Sequence, residues 1–314
     1  MDTLKVVDFH NHFVGPGLSL TTLAGVPQGQ RAFWQAVNGR LSAPEALLAS
    51  LEEAGISARV INTPLEFLHD GEGKVPPGTV ERINDSVAGL VHDHPGRLHG
   101  LATVNAYAGE AAAAELGRAV KHLGLRGVFM ESAKGGLLPD APEARPTLAA
   151  AAALGVPVFL HPVADAQLDS RFRKFGRLGV RLTRSTINSA ALFALLEGGV
   201  FEELRDLRVV VTALAFGGVL LAAGMPDGSR LRKDVPGPDR RHVYIDTTGM
   251  DRVGIRGAIE TVGADHVLTG TDWPVVQERS VPARLQAMFD ELGLGADERR
   301  GIAGQNALRL LKAS

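Results

Sequence analysis

The chain has 314 residues, 45% hydrophobic and 22% charged, a globular composition at a length where barrels exist as one unit. Its 33 basic and 35 acidic residues leave a net charge of −2, without the basic excess of a nucleic-acid or membrane-surface protein. It has no cysteine, so disulfides, thiolate nucleophiles and cysteine-held metal centres are excluded, and any metal falls to histidine and carboxylate.

Eight short apolar runs recur in chain order: Lys5–His10, Ala58–Thr63, Leu98–Val104, Leu125–Glu131, Val156–His161, Arg208–Ala213, His242–Thr247 and His266–Thr271. They are rich in Val, Ile and Leu without polar alternation, the pattern of strands buried on both faces. Helical periodicity fills the intervals. Pro44–Gly55 opens with Pro in its first turn and stops at Gly. Gly78–His94, Glu110–Leu123, Glu143–Leu154, Ile187–Leu196, Asp251–Val262 and Val281–Leu292 read as helices too. Strands joined by helices of this length form right-handed parallel units. Eight units point to a single α/β (β/α)8 TIM barrel spanning residues 1–314, with an open doubly wound sheet as the alternative.

The one irregular region, Phe13–Ser42, is expected to be a long loop on the catalytic face, with a short helix near Ala32–Val37. Val209–Met225 is the longest uncharged stretch, 17 residues. It holds three glycines and falls short of the ~20 apolar residues of a membrane span, so it reads as a strand running into a helix. The N-terminus lacks a basic region followed by an apolar one, and a cytoplasmic protein is expected.

The chemistry gathers at strand ends. Val6-Val7-Asp8-Phe9-His10-Asn11-His12-Phe13 places two histidines two residues apart, on one side of an extended chain. The fifth run ends in His161, and after the eighth comes Asp272. A barrel gathers the carboxyl ends of its strands around one mouth, so His10, His12, His161 and Asp272 are candidate ligands of one divalent ion. Three His and one Asp suit zinc, with manganese or iron(II) also admitted. Asp8 is expected to point away and be structural. Asp246 is expected either to orient a ligand histidine or to form a turn. His92 and His94 form a second His-x-His, but at a helix end, where residues two apart do not face each other.

The segments VDFHNHF, FLHP and LTGTDWP resemble the amidohydrolase-2 family of the metal-dependent amidohydrolase superfamily, the family of aminocarboxymuconate-semialdehyde decarboxylase. The resemblance runs from Val7 to the C-terminus. It takes in His99–Val104, Gly124–Val128, Tyr244–Thr247 and Asn306–Leu311 in order. It implies the barrel fold, one divalent ion at His10, His12, His161 and Asp272, and a homodimer. The family includes decarboxylases, hydratases and hydrolases. One departure matters: most members carry a His before Gly-Gly at the end of the sixth strand. Here Thr212-Ala213-Leu214-Ala215-Phe216-Gly217-Gly218 has the glycines and no His.

Hydrolysis of a small, carboxylated organic substrate is therefore the first reading, because water activation needs only the ion and Asp272 as catalytic base. Non-oxidative decarboxylation of an aromatic or muconate-type acid is the alternative. A non-catalytic barrel is the third reading, motivated by the absent His. Candidate substrate contacts are Arg184 and Lys134 for a carboxylate, Phe33 and Trp34 in the first loop, and Thr212. Glu131 is a further polar candidate at the end of the fourth run. Gly217-Gly218 could receive an anion at a helix start.

Overall fold

The Val- and Ile-rich runs form parallel strands because each is covered on both faces. In the computed structural model, which describes residues 4–16, 28–65, 75–224, 231 and 239–313, two ladders carry them. The first joins β1 (Val7–Asp8), β2 (Ala58–Ile61) and β3 (Leu98–Gly100). The second runs β4 (Ala102–Thr103), β5 (Val128–Glu131), β6 (Val158–His161), β7 (Val209–Val211), β8 (Val243–Asp246) and β9 (Val267–Leu268). Strands β3 and β4 are two halves of one barrel strand with Leu101 between them. Leu101 N donates to Ile61 O at 2.9 Å and Ala102 N to Gly127 O at 2.8 Å. The circle closes between the last strand and the first: Phe9 N donates to Thr269 O at 2.8 Å, and His12 N to Trp273 O at 2.7 Å. The result is a closed eight-stranded (β/α)8 barrel.

Helices follow the strands: α1 (Gln28–Leu41), α2 (Pro44–Ala54), α3 (Thr79–Asp93), α4 (Glu110–Lys121), α5 (Arg145–Leu154), α6 (Ala166–Phe172) and α7 (Arg177–Glu197). Then come α8 (Val200–Glu203), α9 (Phe216–Gly224), α10 (Arg252–Val262), α11 (Val281–Leu292), α12 (Ala296–Arg300) and α13 (Asn306–Leu310). The stop of α2 shows the local logic. Gly55 adopts φ 68°, open to glycine at little cost, and its N–H bonds back to the carbonyls of Glu52 and Leu51. Side chains sort by alternation: Phe129, Phe159, Val210 and Leu268 fill the barrel interior, while Val128, Val158, Val209 and Val267 pack outward against the helices. Ala307, Leu310 and Leu311 close the end opposite the strand carboxyl termini.

One expectation changes. The helix foreseen near Ala32–Val37 is longer, Gln28–Leu41; residues 17–27 of that loop lie outside the described residues. The connection 163–186 is helical, holding α6, a 3-10 turn and the first turns of α7, so Arg184 sits on a helix. The uncharged stretch from Val209 runs from strand into helix, as expected, forming β7 and α9. Among the described residues, no helix is long and apolar enough to cross a membrane.

Asp8 points out of the barrel. Strict alternation would put it on the same face as His10, but the chain bends at His10 and resets the register. The fully buried Asp8 carboxylate accepts from Arg59 and from Thr271 N and Oγ1, at 3.0 and 2.7 Å for the latter two. Arg59 also lies 5.2 Å from the centroid of the Trp273 ring. One buried ion pair thus ties β1 and β2 to the segment that carries Asp272. Removing one partner of such a pair strands the other charge. Asp8→Ala should therefore cost ~3–5 kcal/mol in urea unfolding.

Candidate metal centre

The bend at His10 sends both histidines of the first strand toward the barrel axis. Their rings lie 5.2 Å apart, and His161 at the end of β6 sits 5.3 Å from His10 and 4.8 Å from His12, centroid to centroid. Each of the three offers a ligand nitrogen, and these atoms all lie within 4.8 Å of one another. Asp272 lies beside two of them: its Oδ1 is 3.7 Å from His10 Nε2 and 3.6 Å from His12 Nε2. It holds φ 64°, a left-handed conformation unusual for a residue other than glycine. Gly270, just before, is required by close approach: a Cβ there would sit 2.7 Å from His10 Cβ.

The far sides of the His10 and His12 rings are fixed. His10 Nδ1–H donates to Asp246 Oδ2 at 2.7 Å, and Asp246 Oδ1 in turn accepts from Thr248 N at 2.9 Å and Ala213 N at 3.2 Å. His12 Nδ1–H donates to Asn62 Oδ1 at 2.9 Å. Both rings thereby turn an Nε2 lone pair toward the Asp272 carboxylate. His10 Nε2 and His161 Nδ1 are buried with no hydrogen-bond partner. Unpartnered histidine nitrogens gathered beside a carboxylate are unfavourable until a cation sits among them. The donor set therefore fits a divalent ion.

The electrostatics agree. Burial and the neighbouring His10 and Arg184 charges hold His12 well below the ordinary histidine pKa, with the Asn62 hydrogen bond opposing. Burial, then His12, Arg184 and His10, do the same to His161. Burial opposes charge on His10, but the charge and hydrogen bond of Asp246 outweigh it and raise its pKa. Burial pushes Asp272 up to about 6, against the pull of His10 and Arg184. Phe129 and Phe159 floor the site, with ring centroids 5.2 and 5.8 Å from His161.

The other candidates divide. Arg184 reaches the site: its Nη2 donates to Pro162 O at 2.7 Å, next to His161, and its charge acts on His12, His161 and Asp272. Lys134 turns instead toward Glu131, with Nζ 3.7 Å from its carboxylate. Thr212 is 1% exposed and donates to Asn188 Oδ1 at 2.8 Å, so it serves a buried network with Ser132 and the Leu160 carbonyl. Phe33 is 47% exposed and Trp34 packs half-buried on the core, with no contact to the histidines among the described residues. Gly218 serves packing: a Cβ there would sit 2.6 Å from Ser189 Cβ. His94 caps the end of α3 and His92 is exposed, away from the cluster. The reading of the motifs missed Asn62 and Arg59. Each is a polar residue inside an otherwise apolar strand run, and that break in the pattern was the available signal.

The profile of the Amidohydrolase family, Amidohydro_2, matches residues 7–313. The 2-amino-3-carboxymuconate-6-semialdehyde decarboxylase of Dictyostelium discoideum is 24% identical, over 89% of this chain and 79% of its own. The gamma-resorcylate decarboxylase of Rhodococcus jostii strain RHA1 is 26% identical over 98% of both chains. Among solved structures, 5-carboxyvanillate decarboxylase of Novosphingobium aromaticivorans, complexed with manganese and 4-hydroxy-3-methoxy-5-nitrobenzoic acid, superposes with a TM-score of 0.78. That match is 18% identical and covers 98% of this chain and 96% of that one. The dihydroxybenzoic acid decarboxylase of Polaromonas sp. JS666, with manganese and 2-nitroresorcinol, gives a TM-score of 0.75 at 22% identity, over 98% and 97%.

Because Asp246 orients His10 and is not itself one of the converging donors, Asp246→Ala should weaken binding of a divalent ion ~10–100-fold. Calorimetric titration with Mn2+ measures this, with His94→Ala as the control that leaves affinity unchanged.

Proposed function

The chain belongs to the amidohydrolase family, as a metal-dependent hydrolase or carboxy-lyase of that superfamily, and from that premise we propose that it is a non-oxidative decarboxylase of a small aromatic or muconate-type acid. The observation that carries the reading is the buried three-histidine cluster, with unpartnered nitrogens on His10 and His161 and the Asp272 carboxylate beside His10 and His12. We assign His10, His12, His161 and Asp272 as the ligands of one divalent ion. Zinc is the ion expected from the donor types; manganese, present in the two structures above, is the first to test. The hydrolytic reading set out from the sequence gives way, because the curated relatives are decarboxylases. It rested on the missing sixth-strand His, which bears on how protons move and not on which bond breaks. The non-catalytic reading falls with family membership.

When bound, a divalent ion supplies a positive centre that polarises a substrate oxygen and draws electron density from the carbon skeleton. The chain's residues do the rest. Arg184, beside the cluster, pairs with the substrate carboxylate. Phe129 and Phe159 keep water from the floor of the site. Asp272 donates a proton from its carboxyl to the carbon that bears the carboxylate. A C–H bond forms there, the C–C bond to the carboxylate breaks, its electron pair returns to the skeleton, and CO2 leaves. The Asp272 carboxylate then recovers a proton from solvent.

The test is CO2 release by the Mn2+- or Zn2+-loaded protein from 2,6-dihydroxybenzoate, 5-carboxyvanillate and an aminocarboxymuconate semialdehyde, beside a panel of lactones and amides. Decarboxylation of one of the acids is expected. Turnover of a lactone or amide with no CO2 release would restore hydrolysis. His10→Ala should lose both ion and turnover; a variant that lost its ion and kept full rate would overturn the mechanism. Arg184→Met should raise KM for the accepted acid about 10–100-fold, matching the ~1.5–3 kcal/mol of a hydrogen bond to a charged group, while leaving ion affinity within a few-fold.

A further inference from the structure

The sixth strand lacks a histidine, yet its position in the barrel has a counterpart. Strand β6, which carries His161, has two neighbours, β7 on one side and β5 on the other. The His is missing at the end of β7. At the end of β5 stands Glu131, directly beside His161 in the ladder. The whole register is in step: Val128 with Val158, Phe129 with Phe159, Met130 with Leu160, Glu131 with His161. Residues paired across a parallel ladder face the same side, and side chains two apart on one strand share a face. Phe129 and Phe159 both point into the barrel, their rings 5.9 Å apart. Glu131 therefore shares the inward face that presents His161 to the cluster. The residue is 8% exposed, and Lys134 Nζ stands 3.7 Å from its carboxylate. A glutamate side chain on that face is of the chemical kind that serves as a general base.

We propose that Glu131 is the general base that deprotonates a ring hydroxyl of the substrate, in place of the histidine absent from the sixth strand. The inference rests on the decarboxylase reading and narrows it to hydroxylated aromatic acids. On binding, the O–H bond breaks and its proton passes to the Glu131 carboxylate. The oxygen keeps the electron pair, which enriches the ring carbon that Asp272 protonates. After CO2 leaves, the Glu131 carboxyl returns the proton to the product oxygen, so the residue ends each cycle as it began. Lys134, with Nζ 3.7 Å from that carboxylate, is the positioning residue.

The experiment compares wild type, Glu131→Gln and Glu131→Asp, each loaded with Mn2+. The first measurement is Mn2+ affinity by calorimetry, expected within about threefold in all three. The second is the visible spectrum of bound 2-nitroresorcinol, which distinguishes phenol from phenolate. Wild type and Glu131→Asp should bind the phenolate at a pH where Glu131→Gln binds the phenol. The third is kcat on the hydroxylated acid that wild type decarboxylates, expected to fall ~10²–10⁴-fold in Glu131→Gln and to recover in part in Glu131→Asp. A Glu131→Gln protein that binds phenolate and turns over like wild type overturns the base. Loss of Mn2+ binding in that variant overturns it too, by making Glu131 a ligand. If wild type releases no CO2 from any acid, the decarboxylase reading has failed instead.

Discussion

Three buried histidines gathered at one point, with the Asp272 carboxylate beside two of them, set the terms for the rest of the site. Histidine nitrogens and a carboxylate buried together repel unless a cation joins them. The barrel tolerates the arrangement because it spends other polar groups in holding it. Asp246 and Asn62 each take one ring nitrogen, which leaves the other to face inward. Behind the first strand, Asp8 and Arg59 lock the backbone that carries Asp272. The same closure that completes the barrel, strand nine onto strand one, brings residues 10 and 272 into contact. Fold and site are one construction at this seam.

Charge then divides the mouth of the barrel into roles. Arg184 lowers the pKa of His12, His161 and Asp272, and in the proposed reaction it is the group that pairs with the substrate carboxylate. Asp272, pushed up by burial, lies at the cluster itself. Glu131 and Lys134 form a second acid–cation pair on the adjoining strand. A site with an ion, an anion holder and two carboxyls of different surroundings can move protons in both directions without a sixth-strand histidine.

Much of this was legible from residue order. The apolar runs located all eight barrel strands, and the helix at Val281–Leu292 matches its periodicity end to end. His10, His12, His161 and Asp272 were singled out because barrel topology sends strand ends to one mouth. Other readings failed for identifiable reasons. The helix read at Ile187–Leu196 starts earlier, at Arg177, because α7 begins with Arg- and Gly-bearing turns that lack a clean apolar stripe. Thr212 looked like a lone polar group near the site, and its partner Asn188 comes from a helix 24 residues away.

By itself, then, residue order determined the repeating strand–helix pattern and the chemical kind of each candidate donor, since those follow from local periodicity and composition. It could not say which side of a strand each donor would face after a bend, nor what would bind the other end of its side chain. Those outcomes belong to the closed barrel, because closing the ring brings residues from positions 8, 59, 246 and 271 within hydrogen-bonding reach of the first strand and its neighbours. Only there do burial and neighbouring charge decide which groups stay neutral, which turn their lone pairs inward and which are consumed in holding the rest.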